Sequence, residues 1–415
     1  MWPRKALLSI AIAALLLGAQ PARTAEPIKI GFSMALTGGL AVVGKSGFVA
    51  LQIWASDINA KGGLLGRPVS LVYYDDQSNP ANVPGIYTKL LDVDKVDLVI
   101  SGYATTQIAP AMPIVIEHGM VFFGMFGLAV NSRFHYARYF SILPSGPDPK
   151  RGLSQGFFDV AAAQQPKPRT VAIIAADTEF SRNASDGARD NVRASGFSIV
   201  YDKAYPPGTV DFSPIMRSIQ ASSADIVYVA SYPSDTVGIV RAASEIGLKT
   251  KVFGGSMVGM ATASMKTQLG PLLNGIIDVE WWAPAPTMMF PGTAEFMAKY
   301  QARAASEGID LLGYFLPPFA YAEMQILAEA VEATHGLDQA GIADYIHGHA
   351  FDTIVGNVIF GKDGEWVKAR PIWLQYQNVQ DNALDQFKST KTAVILSPPD
   401  LKTGDLIYPY TDARR

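Results

Sequence analysis

The chain has 415 residues, of which 49% are hydrophobic and 17% charged, so it is long enough to form two globular domains. Its formal net charge of −3 gives no electrostatic reason to expect nucleic acid or an anionic membrane surface as a partner. It contains no cysteine, which excludes disulfides, zinc–thiolate sites and cysteine nucleophiles.

Residues 1–25 have the three-part pattern of a secretory signal peptide. Arg4 and Lys5 precede a continuous apolar run at residues 6–18, and small residues follow it. The run is shorter than the roughly 20 residues that a membrane-spanning helix needs. We therefore predict a signal peptide cleaved between residues 22 and 25, and a mature protein that is exported to the periplasm.

From residue 28 onward, short apolar runs alternate with helical patterns, which favours βα units and parallel sheets. Strands are predicted at residues 28–36, 69–75, 97–102, 121–126, 170–176, 198–205, 225–231 and 251–255. Helices are predicted at residues 48–60, from Ser213-Pro214 onward, and at 236–246, 291–306 and 315–334. A later hairpin is predicted from strands 357–360 and 370–378, with Asp363-Gly364 in its turn.

The βα pattern forms two blocks, which predicts an α/β fold with two lobes connected by a hinge. The chain is expected to cross between lobes near residues 143–167, 275–286 and 351–356. This division gives lobe 1 residues 26–143 and 281–351, lobe 2 residues 144–280 and 352–383, and an irregular tail at 384–415. Because ligands of open α/β sheets bind outside the carboxyl ends of the strands, site residues are expected just after each strand.

Residues 39–46 read Gly-Leu-Ala-Val-Val-Gly-Lys-Ser and match the phosphate-binding pattern G-x4-G-K-S between a strand and a helix. This match raises the alternative of a P-loop nucleotide hydrolase. An export signal argues against it, as do the apolar intervening residues and the lack of an obvious arginine finger. The favoured interpretation is a strand-to-helix turn whose apolar residues face a cleft. The histidines have no carboxylate partner at metal-ligand spacing, so no metal site is predicted.

Three motifs carry a resemblance to a known family. They are residues 57–63 (Asp-Ile-Asn-Ala-Lys-Gly-Gly), 74–76 (Tyr-Asp-Asp) and 211–214 (Asp-Phe-Ser-Pro). Together they resemble the periplasmic leucine/isoleucine/valine-binding proteins, the branched-chain amino acid class of ABC-transporter receptors. The resemblance extends to about residue 378.

The resemblance implies a type I periplasmic binding fold, with two Rossmann-like lobes, parallel central sheets and a three-crossing hinge. It implies a monomer without a cofactor or a catalytic step, which closes on a small ligand and serves an ABC permease of the inner membrane. A sensor or chemoreceptor subunit of the same fold is the alternative within the binding class.

The resemblance also implies that the loop after the third strand of lobe 1 binds the ligand carboxylate. Thr105 is the first candidate and Thr106 the second, and Tyr103 and Ala104 belong to the same loop. A helix N-terminus offers unpaired amides and a favourable dipole to an anion. The alternative is that these threonines only cap the helix. In the loop after the fourth strand, Ala129 is a candidate through its backbone, although the family's usual threonine is missing.

Aromatic residues are expected to form the remaining walls. Phe180 and Tyr232 occupy positions of ligand-facing aromatic residues in lobe 2 of the family. Val43 replaces an aromatic residue in lobe 1, and Phe315 is a further candidate.

Ser256 is the most informative departure from the family. Amino acid binders of this family have a glutamate there, which pairs with the ligand ammonium. A buried ammonium without a carboxylate partner is costly. The sequence therefore favours a carboxylate ligand with an aromatic body, such as a benzoate derivative. Two alternatives stay open, a branched-chain or other amino acid as ligand, and Glu179 as the residue that reaches its ammonium.

Overall fold

The protein is described by a computed structural model that covers residues 26–414, so the predicted signal peptide lies outside the described residues. The strands are β1 Ile28–Met34, β2 Val69–Asp75, β3 Leu98–Tyr103, β4 Phe122–Met125, β5 Tyr139–Ser141, β6 Thr170–Ala176, β7 Ser198–Tyr205, β8 Ile226–Ser231, β9 Val252–Met257, β10 Ile276–Glu280, β11 Ala350–Thr353, β12 Gly356–Ile359, β13 Ile372–Tyr376 and β14 Ala393–Ser397.

The helices are α1 Ala41–Ala60, α2 Val83–Thr88, α3 Thr105–Glu117, α4 Asn131–Phe134, α5 Pro149–Ala162, α6 Glu179–Ala194, α7 Ser213–Ser222, α8 Pro233–Glu245, α9 Ala263–Leu269, α10 Thr293–Glu307, α11 Pro317–Ala333 and α12 Gln339–Gly348. Their ends follow local chemistry. Asp148 accepts from the amide of Arg151 at the start of α5, and Pro149 fills the first helical position. Across residues 26–414, no helix combines the length and the apolar character that crossing a membrane requires.

Two sheets form the centres of the two lobes, which confirms the predicted fold class. The lobe 1 sheet has the order β2-β1-β3-β4-β5, and all its pairs are parallel. The lobe 2 sheet has the order β14-β13-β10-β9-β8-β6-β7. Its pairs from β10 to β7 are parallel, whereas β13 and β14 are antiparallel additions.

The late hairpin matches its prediction in the turn and differs in the second strand. The Gly364 amide donates to the carbonyl of Gly361 at 3.0 Å, and Phe360 pairs with Trp366 across this turn. The observed hairpin pairs β11 with β12, while β13 joins β10 in lobe 2. Gly364 has a φ of 73°, and a Cβ there would lie 1.8 Å from the carbonyl oxygen of Tyr139. The glycine of the predicted turn therefore permits close contact between this segment and β5.

The third crossing lies later than residues 351–356. The Trp366 indole still donates to the carbonyl of Ser141 in lobe 1, at 3.1 Å. The Arg370 amide donates to the carbonyl of Pro144, where the first predicted crossing lies, at 2.8 Å. The chain therefore enters lobe 2 between Trp366 and β13. The expected irregular tail at 384–415 contains β14, which extends the lobe 2 sheet. Helix α5 lies in the stretch between the two βα blocks. The sequence analysis did not predict this helix, because the stretch is rich in prolines and polar residues.

Candidate functional site

A cavity lies between the two lobes. It is at the carboxyl ends of strands from both sheets, where ligands of open α/β sheets bind. Its lining residues are Tyr103, Ala104, Thr105, Phe126, Leu143, Leu153, Phe180, Tyr232, Met257, Val258, Gly259, Ala261, Asp278, Val279, Trp281 and Phe315. Six residues that were predicted from the sequence are among them, namely Tyr103, Ala104, Thr105, Phe180, Tyr232 and Phe315.

Thr105 begins α3 and is almost fully buried at the cavity wall. Its Oγ1 accepts a hydrogen bond from the amide of Leu128 at 3.0 Å, which leaves the hydroxyl hydrogen available to a ligand. Ala104, just before the helix, has a φ of 85° and a ψ of 146°, a conformation that non-glycine residues rarely adopt. The turn lies at the end of α3 that meets the cavity. The first amides of α3, which have no intrahelical acceptor, are therefore at that end.

The lobe 1 wall of the cavity is aromatic. The rings of Phe126 and Phe315 meet edge to face with centroids 5.0 Å apart. The ring of Tyr103 meets that of Phe315 in the same way, with centroids 6.2 Å apart. Trp281, where the chain leaves β10, contacts Phe126 at 5.8 Å. Phe126 has a φ of 62°, so a strained backbone directs its ring. The wall therefore offers rigid, flat apolar surfaces.

The lobe 2 wall adds Phe180 and Tyr232, whose ring centroids are 5.5 Å apart. The hydroxyl oxygen of Tyr232 is enclosed and has no hydrogen-bond partner among the described residues. Burial raises the pKa of this phenol, and the nearby side chain of Thr106 on the opposite lobe acts in the opposite direction. Thr106 itself is half-buried and does not line the cavity.

A hydrogen bond joins the two lobes across the cleft. The side-chain amide of Asn183 on α6 donates to the carbonyl oxygen of Leu128 in lobe 1, at 3.0 Å. Leu128 also donates its amide to Thr105. The loop after β4 thus connects the start of α3 to lobe 2.

Asp278 on β10 is a site residue that the sequence prediction missed. Its side chain is buried at the cavity, and its Oδ1 accepts from the amide of Met257 at 3.2 Å. Burial raises the pKa of this carboxyl well above its usual range, and the charge of Glu280 acts in the same direction. The acidic residues Asp278 and Glu280, two apart in an otherwise apolar strand, were the available signal.

Ser256 does not line the cavity. The strand expected to end at residue 255 continues to Met257, so Ser256 lies inside β9. Its hydroxyl forms a 2.8 Å hydrogen bond with the buried hydroxyl of Tyr228 instead. The next residue, Met257, contributes to the lining.

Two other predicted residues also lie outside the lining. Val43 is buried inside α1, where its carbonyl accepts from the hydroxyl of Ser46 at 2.6 Å. Ala129 is buried with a φ of 57°, and its carbonyl accepts from Ser132.

The segment that matches the P-loop pattern is helical. Helix α1 begins at Ala41, and the amide of Gly44 donates to the carbonyl of Leu40. A Cβ at Gly44 would lie 2.1 Å from the carbonyl oxygen of Ala35, so this glycine permits close packing of α1 against the end of β1. The open loop of amides that cradles phosphate is not formed. Within residues 26–414, no group of three or more His, Cys, Asp or Glu side chains is placed to hold a metal ion.

Two α/β lobes with a cavity between them have the architecture of a two-lobed solute-binding protein. The model of the periplasmic binding protein family matches residues 27–380, and the chain belongs to that family. The predicted resemblance to branched-chain amino acid-binding proteins is confirmed by the Leu/Ile/Val-binding protein of Escherichia coli. That protein is 25% identical over 343 residues, which cover 82% of this chain and 88% of the relative.

Solved structures share the fold. The branched-chain amino acid transporter substrate-binding protein of Streptococcus pneumoniae, in complex with isoleucine, has a TM-score of 0.72 and 18% identity, over 90% of this chain and 100% of the neighbour. A solute-binding protein of an ABC transporter from R. palustris, in complex with 4-hydroxybenzoate, has a TM-score of 0.73 and 20% identity, over 92% and 98%.

Proposed function

We propose that this chain captures a small aromatic carboxylate between its lobes and presents it to an ABC permease in the periplasm, without a chemical step. The observation that carries the proposal is the cavity itself, in which aromatic walls face each other and Thr105 at the start of α3 lies at the lobe 1 side. Its lining is mostly apolar with a few polar groups, as in pockets that bind small ligands. The signal-peptide pattern of residues 1–25 supports export.

Flat rings favour a flat ligand. Phe126 makes edge-to-face contacts with Phe315 and with Trp281 on one side, and Phe180 with Tyr232 forms the other side. An aromatic ring can stack or make edge contacts with each of these surfaces, and such pairs add to the gain from apolar burial. A ligand carboxylate would then accept from the hydroxyl of Thr105 and from the first amides of α3.

An amino acid is the second candidate. Its ammonium needs a carboxyl partner, which Ser256 does not provide but Asp278 at the cavity wall does. The fold neighbours include one complex with isoleucine and one with 4-hydroxybenzoate. The aromatic acid is preferred because an ammonium needs an ionised partner, whereas burial and Glu280 both disfavour the ionised form of Asp278.

A ligand screen tests the proposal. Purified mature protein should melt at a higher temperature with millimolar benzoate derivatives, because a ligand at 100 times its Kd stabilises the folded state by about 2.7 kcal/mol. Leucine, isoleucine and valine should produce no shift under the same conditions. Stabilisation by the branched-chain amino acids and by none of the aromatic acids would show that the second candidate is correct.

Thr105→Val is expected to weaken binding of the carboxylate ligand by about 10- to 100-fold, because a hydrogen bond to a charged group is lost. Valine preserves the volume of threonine but cannot donate. Thr105→Ser retains the hydroxyl and should bind within a few-fold of the unmodified protein. Isothermal titration calorimetry measures all three proteins. Equal affinities of the valine and serine variants would show that the Thr105 hydroxyl does not bind the ligand and serves only the Leu128 amide.

A further inference from the structure

In the part of the chain that the structure describes, residues 26–414, Asp278 is the one Asp, Glu, Lys, Arg or His among the residues that line the cavity. It lies on β10 in lobe 2, whereas Thr105 begins α3 in lobe 1. The two residues therefore contribute polar groups to the same apolar cavity from opposite lobes. A ligand that reaches both of them would connect the lobes.

The surroundings of Asp278 leave its carboxyl without a dedicated cation. Lys266 is fully buried, and its charge is shared among Glu280, Asp310 and Asp278. Glu280 has one carboxylate oxygen without a hydrogen-bond partner in the described part of the chain, and burial raises its pKa to about 7. One lysine cannot neutralise three buried carboxyl groups, so ionisation of Asp278 is disfavoured.

One oxygen of Asp278 is already used. Its Oδ1 accepts from the amide of Met257, which fixes the carboxyl against β9 at the cavity wall. The other oxygen is left for the ligand. A hydroxyl group both donates and accepts, so it pairs with a neutral carboxyl as well as with an ionised one. An unsubstituted aromatic ring would bury this polar group without a partner, which is costly.

We propose that Asp278 determines ligand specificity by hydrogen bonding to a hydroxyl group, and that the ligand is an aromatic hydroxy acid held between Thr105 and Asp278. This inference rests on the proposed function. The carboxylate binds lobe 1 and the hydroxyl binds lobe 2, so both polar ends stabilise the closed state.

The test compares ligands on the unmodified mature protein. Calorimetry with benzoate, its three monohydroxy isomers and the matching methyl acids should identify one hydroxy isomer that binds at least about tenfold more tightly than benzoate. The corresponding methyl acid has nearly the same shape but can neither donate nor accept a hydrogen bond, so it should lose this gain. Tighter binding of an aminomethyl benzoate, which carries an ammonium, would overturn the assignment to a hydroxyl.

Variants of Asp278 test whether this residue causes the higher affinity for the hydroxy acid. In Asp278→Ala the preferred hydroxy isomer should bind no better than benzoate. Asp278→Asn keeps an acceptor for the Met257 amide and nearly the same volume, so it should fold even if the alanine variant does not, and the hydroxyl gain should shrink. Glu323→Gln is the matched control, since Glu323 is a buried carboxyl on α11 that neither lines the cavity nor belongs to the group around Lys266, and it should keep the gain.

Two outcomes separate this inference from the proposed function. If the hydroxyl gain is the same in the unmodified protein and in both Asp278 variants, the assignment of Asp278 is wrong while aromatic acid capture stands. If no benzoate derivative binds the unmodified protein, the proposed function itself fails, and the role of Asp278 fails with it.

Discussion

Replacing Glu365 by glutamine is expected to stabilise the protein at pH 8 and to change its stability little below pH 4.5. Glu365 is buried, and neither of its carboxylate oxygens has a hydrogen-bond partner among residues 26–414. Burial raises the pKa of this carboxyl from 4.5 to about 8. Glutamine has nearly the same shape and cannot ionise, so it removes the cost of ionisation.

The sign follows from proton binding. Between pH 4.5 and 8 the folded chain holds a proton on Glu365 that the unfolded chain releases, so folding becomes less favourable as the pH rises through this range. The penalty is complete above the folded pKa and absent below the unfolded one. A shift of this size corresponds to a gain on the order of 4 kcal/mol for Glu365→Gln at pH 8 relative to acidic pH.

Urea unfolding at pH 4.5, 6.5 and 8 measures this effect. Glu323→Gln should behave in the same direction, because Glu323 is buried with two unpartnered oxygens in the described structure and its pKa is raised well above the usual range. Glu245 is exposed, so Glu245→Gln serves as the matched control and should leave the pH profile unchanged. A gain from Glu365→Gln that is equal at all three pH values would show that folding does not shift the pKa of Glu365.

The sequence predicted the architecture well because periodicity is a local property. Each strand predicted before residue 256 overlaps an observed strand, since buried parallel strands form short apolar runs between helices. The loop of Thr105 could also be found, because it follows a strand directly and because the family motifs fix its place. These features require no knowledge of which residues face each other in space.

Asp278 and Phe126 could not be predicted in the same way. Both depend on which face of a buried strand or turn meets the opposite lobe, and β10 is apolar on both sides apart from its two acidic residues. Ser256, in contrast, was predicted to face the ligand but does not line the cavity. Its position matched the family, but the strand continues past it and directs its hydroxyl to Tyr228. A shift of one residue exchanges the two faces of a strand.

The turn at Asp363-Gly364 was predictable because its composition is a local signal, and the Gly364 amide does donate to the carbonyl of Gly361 at 3.0 Å. Gly364 is also required by the close approach of Tyr139 from lobe 1, which the sequence did not show. The turn between β11 and β12 contains Ile354 and Val355, which carry no turn signal. It was therefore missed.

Gly254→Ala is expected to lower the free energy of unfolding by more than about 4 kcal/mol, the size that marks a severe clash in a packed core. Gly254 lies in β9 with a φ of 152°, and a Cβ there would be 1.7 Å from the carbonyl oxygen of Ile277 on β10. That oxygen belongs to the backbone of a paired strand, so no side-chain rotation can relieve the contact. The neighbouring Gly255 is confined in the same way by the carbonyl of Val229 on β8, at 2.3 Å.

Gly247→Ala provides the control for this variant. Gly247 follows α8 with a φ of 60°, and nothing lies within 4 Å of the position of its Cβ, so alanine there costs only backbone strain, about 1 kcal/mol. Denaturant unfolding of the two variants therefore separates the steric clash from the conformational cost. An equal loss in both would mean that β10 moves away from β9. Because Asp278 directly follows Ile277 and pairs with Gly255, that movement would displace Asp278 from the cavity wall and weaken ligand binding in Gly254→Ala alone.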